Sequence, residues 1–175
     1  MGYTTDFYGS FSLTPSLSNE QKEYINKFSE TRRMKRHPDR LMLLFKGEGG
    51  FPNRTGAPED IYGNQGQFFV GGLGSFGMDN DASVIDGNKP PLGQPGLWCQ
   101  WIPNEDGTTL EWDGGEKFYH YTEWLEYLIE NFLEPWGIKV NGEVKWEGED
   151  RSDLGKIVVI ENDVTELTGH IDYIK

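Results

Sequence analysis

Arg32, Arg33, Lys35 and Arg36 place four cations in five positions, with Arg40 close behind, in a chain whose formal net charge is −13. Guanidinium forks match the oxygens of phosphate and carboxylate, so the run has the chemistry of an anion site. The competing reading is a solvated helix end, where cations also complement the helix dipole. A second element of the same chemistry lies in Gly71–Gly77 (GGLGSFG). Gly71, Gly72 and Gly74 allow a backbone to wrap a phosphate through its N–H groups. No Gly-Lys-Ser/Thr follows, so this is not a P-loop, and an ordinary flexible turn has the same composition.

Gly96–Gly137 holds five of the six tryptophans. Trp98 or Trp101 can stack a base, with Gln100 between them to read its edge. Glu111 and Asp113 flank Trp112, and His120 lies between Tyr119 and Tyr121. A histidine near a carboxylate can work as a general acid or base, which makes His120 with Glu111 or Asp113 the candidate pair for an enzyme. Cys99 lies between tryptophans, where burial leaves a thiol inert. No nucleophile elbow and no zinc or EF-hand spacing occurs. Asp79-Asn80-Asp81 and Asp86 read as turn residues, and neither a metal nor a cofactor is expected.

The elements that must carry these groups follow from periodicity. Thr4–Leu13 alternates as a strand. Ser18 with Gln21 caps a helix that carries Tyr24, Ile25 and Phe28, ends near His37-Pro38 and bears the arginines on its last turns. Residues 46–67 read as a long Gly/Pro/Asn-rich loop insertion. Phe68–Val70 and Leu97–Ile102 read as strands. The turn Pro103–Gly107 and the return strand Thr108–Trp112 follow. Asp113 and Glu116 form a capping box for one helix to Glu134, with a buried stripe from Tyr121 to Leu133 and Glu123, Glu126, Glu130 and Glu134 off it. Pro135-Trp136-Gly137 stops that helix. Two further strands flank Asn141-Gly142, which reads as a turn or a bulge. Gly155–Glu161 and Val164–Thr168 make a final hairpin.

Strand, helix, hairpin, helix, strand and hairpin predict an α+β fold. Its antiparallel sheet has two helices packed mainly on one face, and its core is ferredoxin-like βαββαβ with a C-terminal hairpin. At 175 residues, a single domain over 1–175 is expected. The acidic balance argues against non-specific binding of nucleic acid or of an anionic membrane. It also allows a sharper role, in which carboxylates stand where a partner expects phosphates. One cysteine permits no internal disulfide. The N-terminus has no basic segment followed by an apolar run, no apolar stretch reaches membrane-spanning length, and a cytoplasmic setting is expected.

The segments MGYTTDFYGSF, ETRRMKR, FFVGG, GQPGLWCQW, EWDGGEKFYHYTEWLEYL and NGEVKWEGED together resemble a family of uncharacterised phage and bacterial proteins. The likeness carries no assigned activity. It implies a phage or prophage setting and the host cytoplasm. The leading expectation is a small phage-type protein that binds an anionic small molecule, a nucleotide or nucleotide-derived signal, and so sequesters a host defence signal. Its ligands would be Arg32, Arg33, Lys35, Arg36, Gly71, Gly72, Gly74, Trp98, Gln100 and Trp101. The alternatives are an acidic, nucleic-acid-mimicking inhibitor of a host nucleic-acid enzyme, and a nucleotide-processing enzyme using His120.

Overall fold

A computed structural model describes residues 2–71 and 80–175. In chain order the elements are β1 (Asp6–Thr14), α1 (Asn19–Glu30), β2 (Lys35–Arg36), α2 (Pro38–Phe45), α3 (Pro58–Tyr62) and a 3-10 turn (Asn64–Gly66). β3 (Val84–Asp86), β4 (Trp101–Pro103), β5 (Thr109–Trp112), α4 (Tyr121–Leu128) and a π-helical turn (Ile129–Leu133) come next. β6 (Lys139–Glu147), β7 (Leu154–Ile160) and β8 (Asp163–Thr168) complete the chain. The chain divides into two compact units, 1–18 with 100–175, and 19–99.

The first unit is built on a six-stranded sheet in the order β4-β5-β1-β6-β7-β8, with every pairing antiparallel. The α+β class therefore holds. The run β6-β1-β5-β4 has the strand order of the expected ferredoxin-like core, and β7-β8 is the added hairpin. The period of two decides which face is covered. Phe7, Phe11 and Leu13 on β1 are buried, as are Val140, Val144 and Trp146 on β6 and Ile157 and Val159 on β7. Trp124, Leu125, Leu128, Ile129, Phe132 and Leu133 bring the apolar stripe of α4 and the π turn into the same core. Aromatic rings fill one end of it. The Phe7 ring lies 5.5 Å from Trp101, 5.7 Å from Phe118 and 4.9 Å from Tyr121, in tilted or edge-on geometry.

Asn141-Gly142 makes no turn. β6 runs straight through it, and Gly142 takes φ +132° where a Cβ would stand 3.1 Å from the Ser10 carbonyl oxygen. Only glycine holds that conformation without strain. Gly142→Ala is expected to destabilise the unit by about 1–3 kcal/mol, read as a lower urea midpoint with an unchanged slope.

The second long helix begins later than its capping-box sequence predicts. Asp113 accepts the Gly115 amide at 2.7 Å, which makes a local turn instead of a cap. Lys117 and His120 both adopt left-handed backbone, and α4 starts only at Tyr121. Two glycines weaken the first predicted turn, and leaving the helical path lets Phe118 enter the aromatic core.

The second unit packs α1, α2, α3 and the two-stranded β2-β3 ladder around Tyr24, Ile25, Phe28, Leu41, Phe51, Tyr62 and Phe69. Residues 46–67, expected as loop, contain α3 and the 3-10 turn and supply Phe51 and Tyr62 to this core. The Tyr62 hydroxyl donates to Glu48 O, and burial pushes its pKa up to about 12. Phe68–Val70 and Leu97–Gln100 form no strand, although Phe69, Val70 and Cys99 are buried.

Candidate functional site

The basic run does not sit on a helix. α1 stops at Glu30, and the Thr31 hydroxyl turns back to donate to Lys27 O while accepting the Gly71 amide at 2.8 Å. The arginines follow on extended chain, and His37-Pro38 opens α2. Arg33 is only 2% exposed. Its guanidinium lies 4.0 Å from the Phe28 ring centre and donates to the carbonyls of Phe28, Gln67 and Phe69. Arg36 is 1% exposed and donates to Asp81 Oδ2 at 3.1 Å and Ser83 Oγ at 2.8 Å, with its guanidinium over Phe69. Arg32 donates to Gly87 O at 3.0 Å and Asn88 Oδ1 at 3.4 Å. Lys35 is half-buried on β2, its amide donating to Lys89 O.

The guanidinium groups of Arg32, Arg33 and Arg36 therefore pin irregular backbone. A buried guanidinium is stable only when its donors find acceptors, and here backbone carbonyls serve the terminal nitrogens of Arg33 while the Asp81 carboxylate and the Ser83 hydroxyl serve Nη1 of Arg36. Arg33 and Arg36 are corrected from phosphate ligands to structural cations. Gly71 gives its amide to Thr31, and Gly72 and Gly74 lie outside the described residues.

Asp81 gives this network a pH signature. Burial pushes its carboxyl up, but the hydroxyl and amide of Ser83, and then Arg36, outweigh burial and hold it below the usual value. A depressed folded-state pKa contributes stability that is present above the unfolded value and lost as pH falls through the folded one. The gap in urea midpoint between wild type and Asp81→Asn should accordingly be widest above about pH 4 and shrink below it. A gap that stays constant down to about pH 2.5 would contradict the assignment.

The other predicted site residues also have structural work. Trp101 is fully buried and donates through Nε1 to Tyr121 O at 2.8 Å, so it offers no face for a base. Gln100 donates to Glu116 O at 2.9 Å and accepts from Trp112 Nε1 at 3.2 Å, which holds the turn after β5. The Asp113 amide donates to Gln100 O in the same turn. Glu111 faces Ile102 across the β4-β5 pair. His120 is the exposed left-handed residue ahead of α4, and no hydrogen bond joins it to Glu111 or Asp113 among the described residues. Trp98 is half-buried. Trp98 belongs to the unit 19–99 with the cations, whereas Gln100, Trp101, Glu111, Asp113 and His120 belong to the other.

A different arrangement emerges from the charges. Of the 29 acidic and 16 basic side chains, the unit 1–18 with 100–175 has nineteen and six, and the unit 19–99 has ten of each. The whole net charge of −13 is thus carried by the sheet unit, while the other is neutral. Within the sheet unit, Glu126, Glu130, Glu134 and Asp163 line one open groove together with Ile129, Asn162 and Val164, and among the described residues no cation lines it.

The local fold explains that row. In an α-helix four residues overshoot one turn by about 40°, so carboxylates at i, i+4 and i+8 drift around the axis. Here Ile129–Leu133 is a π turn, with the Glu134 amide donating to Ile129 O at 2.8 Å. Its wider turn reverses the drift and returns Glu134 towards the line of Glu126 and Glu130. Asn131 steadies the irregular ladder by donating to Tyr127 O at 3.0 Å. The Tyr121 phenol is pushed well above its usual pKa, first by burial and then by Glu166, Asp153 and Glu123.

No protein-family model, curated protein or solved structure matches the chain. Among the described residues no group of three or more His, Cys, Asp and Glu side chains is arranged to hold a metal ion. No helix among them is long and apolar enough to cross a membrane.

Proposed function

We propose that this chain is a protein-binding module whose acidic unit docks on the basic, nucleic-acid-binding surface of another protein and blocks it as a nucleic-acid mimic. One observation carries the reading. The entire net charge is confined to one of two compact units, where Glu126, Glu130, Glu134 and Asp163 line one groove with no cation among the described residues that line it. A merely soluble acidic protein has no reason to keep one unit neutral or to align carboxylates across a π turn. Charges so arranged steer association with a positive surface and fix its register more than they add affinity. In the phage setting that the sequence resemblance implies, the partner would be a host enzyme acting on nucleic acid.

The nucleotide-signal reading is weakened, because four of its ten ligands, Arg33, Arg36, Gly71 and Trp101, are committed inside the protein. The acid–base reading lacks a joined histidine and carboxylate.

Displacement tests the proposal. A labelled DNA duplex is bound in turn to each of a panel of purified basic nucleases and polymerases, and the chain is added. It should release the duplex from at least one of them. The variant Glu126→Gln, Glu130→Gln, Glu134→Gln, with an unchanged circular dichroism spectrum, should require at least about tenfold more protein for the same release. Release by the variant at wild-type concentration, or no release from any panel member at low salt, defeats the proposal.

A further inference from the structure

The sheet of the acidic unit ends in two unequal edges. β4 is three residues long and contains Pro103, the kind of short edge that discourages further pairing. β8 is six residues long, Asp163–Thr168, and contains neither proline nor lysine. It is last in the strand order and, among the described residues, pairs only with β7. The amides and carbonyls on its free side are a template for one more strand.

The two flanks of that edge differ chemically. Val164 and Glu166 stand opposite the buried Val159 and Ile157, so they lie on the helix side. At the Val164 end that side opens into the groove of Glu126, Glu130 and Glu134, with Ile129 and Val164 as its apolar part, and Asp163, opposite Ile160, lines the groove at the end of the strand. Thr165 and Leu167 stand opposite Val158 and Lys156 on the open face of the sheet. There Leu167 is 45% exposed beside Lys156, and Ile160 is 65% exposed at the other end of the strand pair, opposite Asp163, so each end of the edge has one exposed apolar side chain.

We infer that β8 accepts an extended segment of the partner protein as a seventh strand, with Lys or Arg at alternate positions facing the carboxylate groove and apolar residues between them over Leu167 and Ile160. This rests on the proposed protein-binding role and specifies the form of the basic surface. Main-chain hydrogen bonds to β8 give affinity, and the period of two gives the sequence pattern. A second copy of this chain is disfavoured as the occupant. Pairing β8 with itself would bring two units of net charge −13 together, carboxylates against carboxylates.

The test uses the full chain and a fluorescein-labelled octapeptide of alternating lysine and valine, followed by anisotropy. Three comparators accompany it. One is the same peptide N-methylated on the amides that would face β8, which keeps every charge but removes those donors. One has the lysines in one block and the valines in another. The third comparison replaces wild type with the triple glutamine variant. The alternating peptide should bind, and each change should weaken it at least about tenfold. Equal binding of the N-methylated or blocked peptide would mean that charge alone is recognised, which overturns the added strand. A basic protein released from its duplex by this chain, with no peptide binding, would sink the strand inference and leave the protein-binding proposal standing. No binding in either assay sinks both.

Discussion

Arg33→Ala is expected to unfold the unit 19–99 at temperatures the wild type tolerates. The guanidinium serves three carbonyls, Phe28, Gln67 and Phe69, and is nearly inaccessible to water. Truncation leaves buried acceptors without those donors and opens a cavity over the Phe28 ring. Unmet buried polar groups cost about 1–3 kcal/mol each. Removing one member of a buried charged network typically costs about 3–5 kcal/mol. Arg33→Lys should recover little, since an ammonium cannot span three carbonyls in a fixed fork. Had Arg33 been a surface phosphate ligand, its loss would shift stability by no more than about 0.5 kcal/mol. A urea titration with hydrogen exchange on α1 decides between them. Loss of midpoint and of α1 protection supports the structural role, and an unchanged midpoint refutes it.

Trp101→Ala should have an effect of similar size in the other unit. Trp101 is fully buried, stands edge-on to Phe7, Phe11 and Phe118, and fastens the start of α4 through Tyr121 O. Loss of a buried tryptophan costs about 3–5 kcal/mol through transfer and cavity terms. Trp101→Phe should restore much of the packing but not the hydrogen bond to Tyr121 O. Its deficit relative to wild type is expected to be about 1–3 kcal/mol, visible as weaker protection of the α4 amides. A Phe variant as stable as wild type would show that the indole N–H contributes nothing.

These two residues show what the sequence made legible. Alternation on β1 and the 3.6 period of Tyr121–Leu133 are local patterns, and both survive into the sheet and its covering helix. The run Arg32–Arg36 is just as visible, but its meaning depends on acceptors 34–47 residues away, Gln67, Phe69, Asp81 and Ser83. No spacing rule connects a guanidinium to a loop carbonyl across that distance. The same holds for Gln100 and Trp101, whose partners Glu116 and Tyr121 lie past the next strand. The false start of the second helix has a nearer cause. A capping-box pattern is present, but two glycines and a buried Phe118 make the non-helical path better.

The acidic row was partly visible. Glu126, Glu130 and Glu134 are separated by four residues each and stand apart from the apolar stripe. Their alignment is not visible, because it needs the π turn at Ile129–Leu133 and the approach of Asp163 from the β7-β8 turn. The segregation of charge also requires knowing that residues 1–18 join 100–175.

The most direct measurement of the central claim compares two variants that each remove three negative charges. One carries Glu126→Gln, Glu130→Gln and Glu134→Gln in the groove. The other carries Glu30→Gln, Glu48→Gln and Glu59→Gln on the neutral unit, where all three side chains are exposed. Each is titrated against the same basic partner and labelled duplex at matched ionic strength. If the aligned row is the recognition surface, the first variant loses displacement and the second keeps that of the wild type. Equal displacement by both variants, whether lowered together or unchanged, would contradict it.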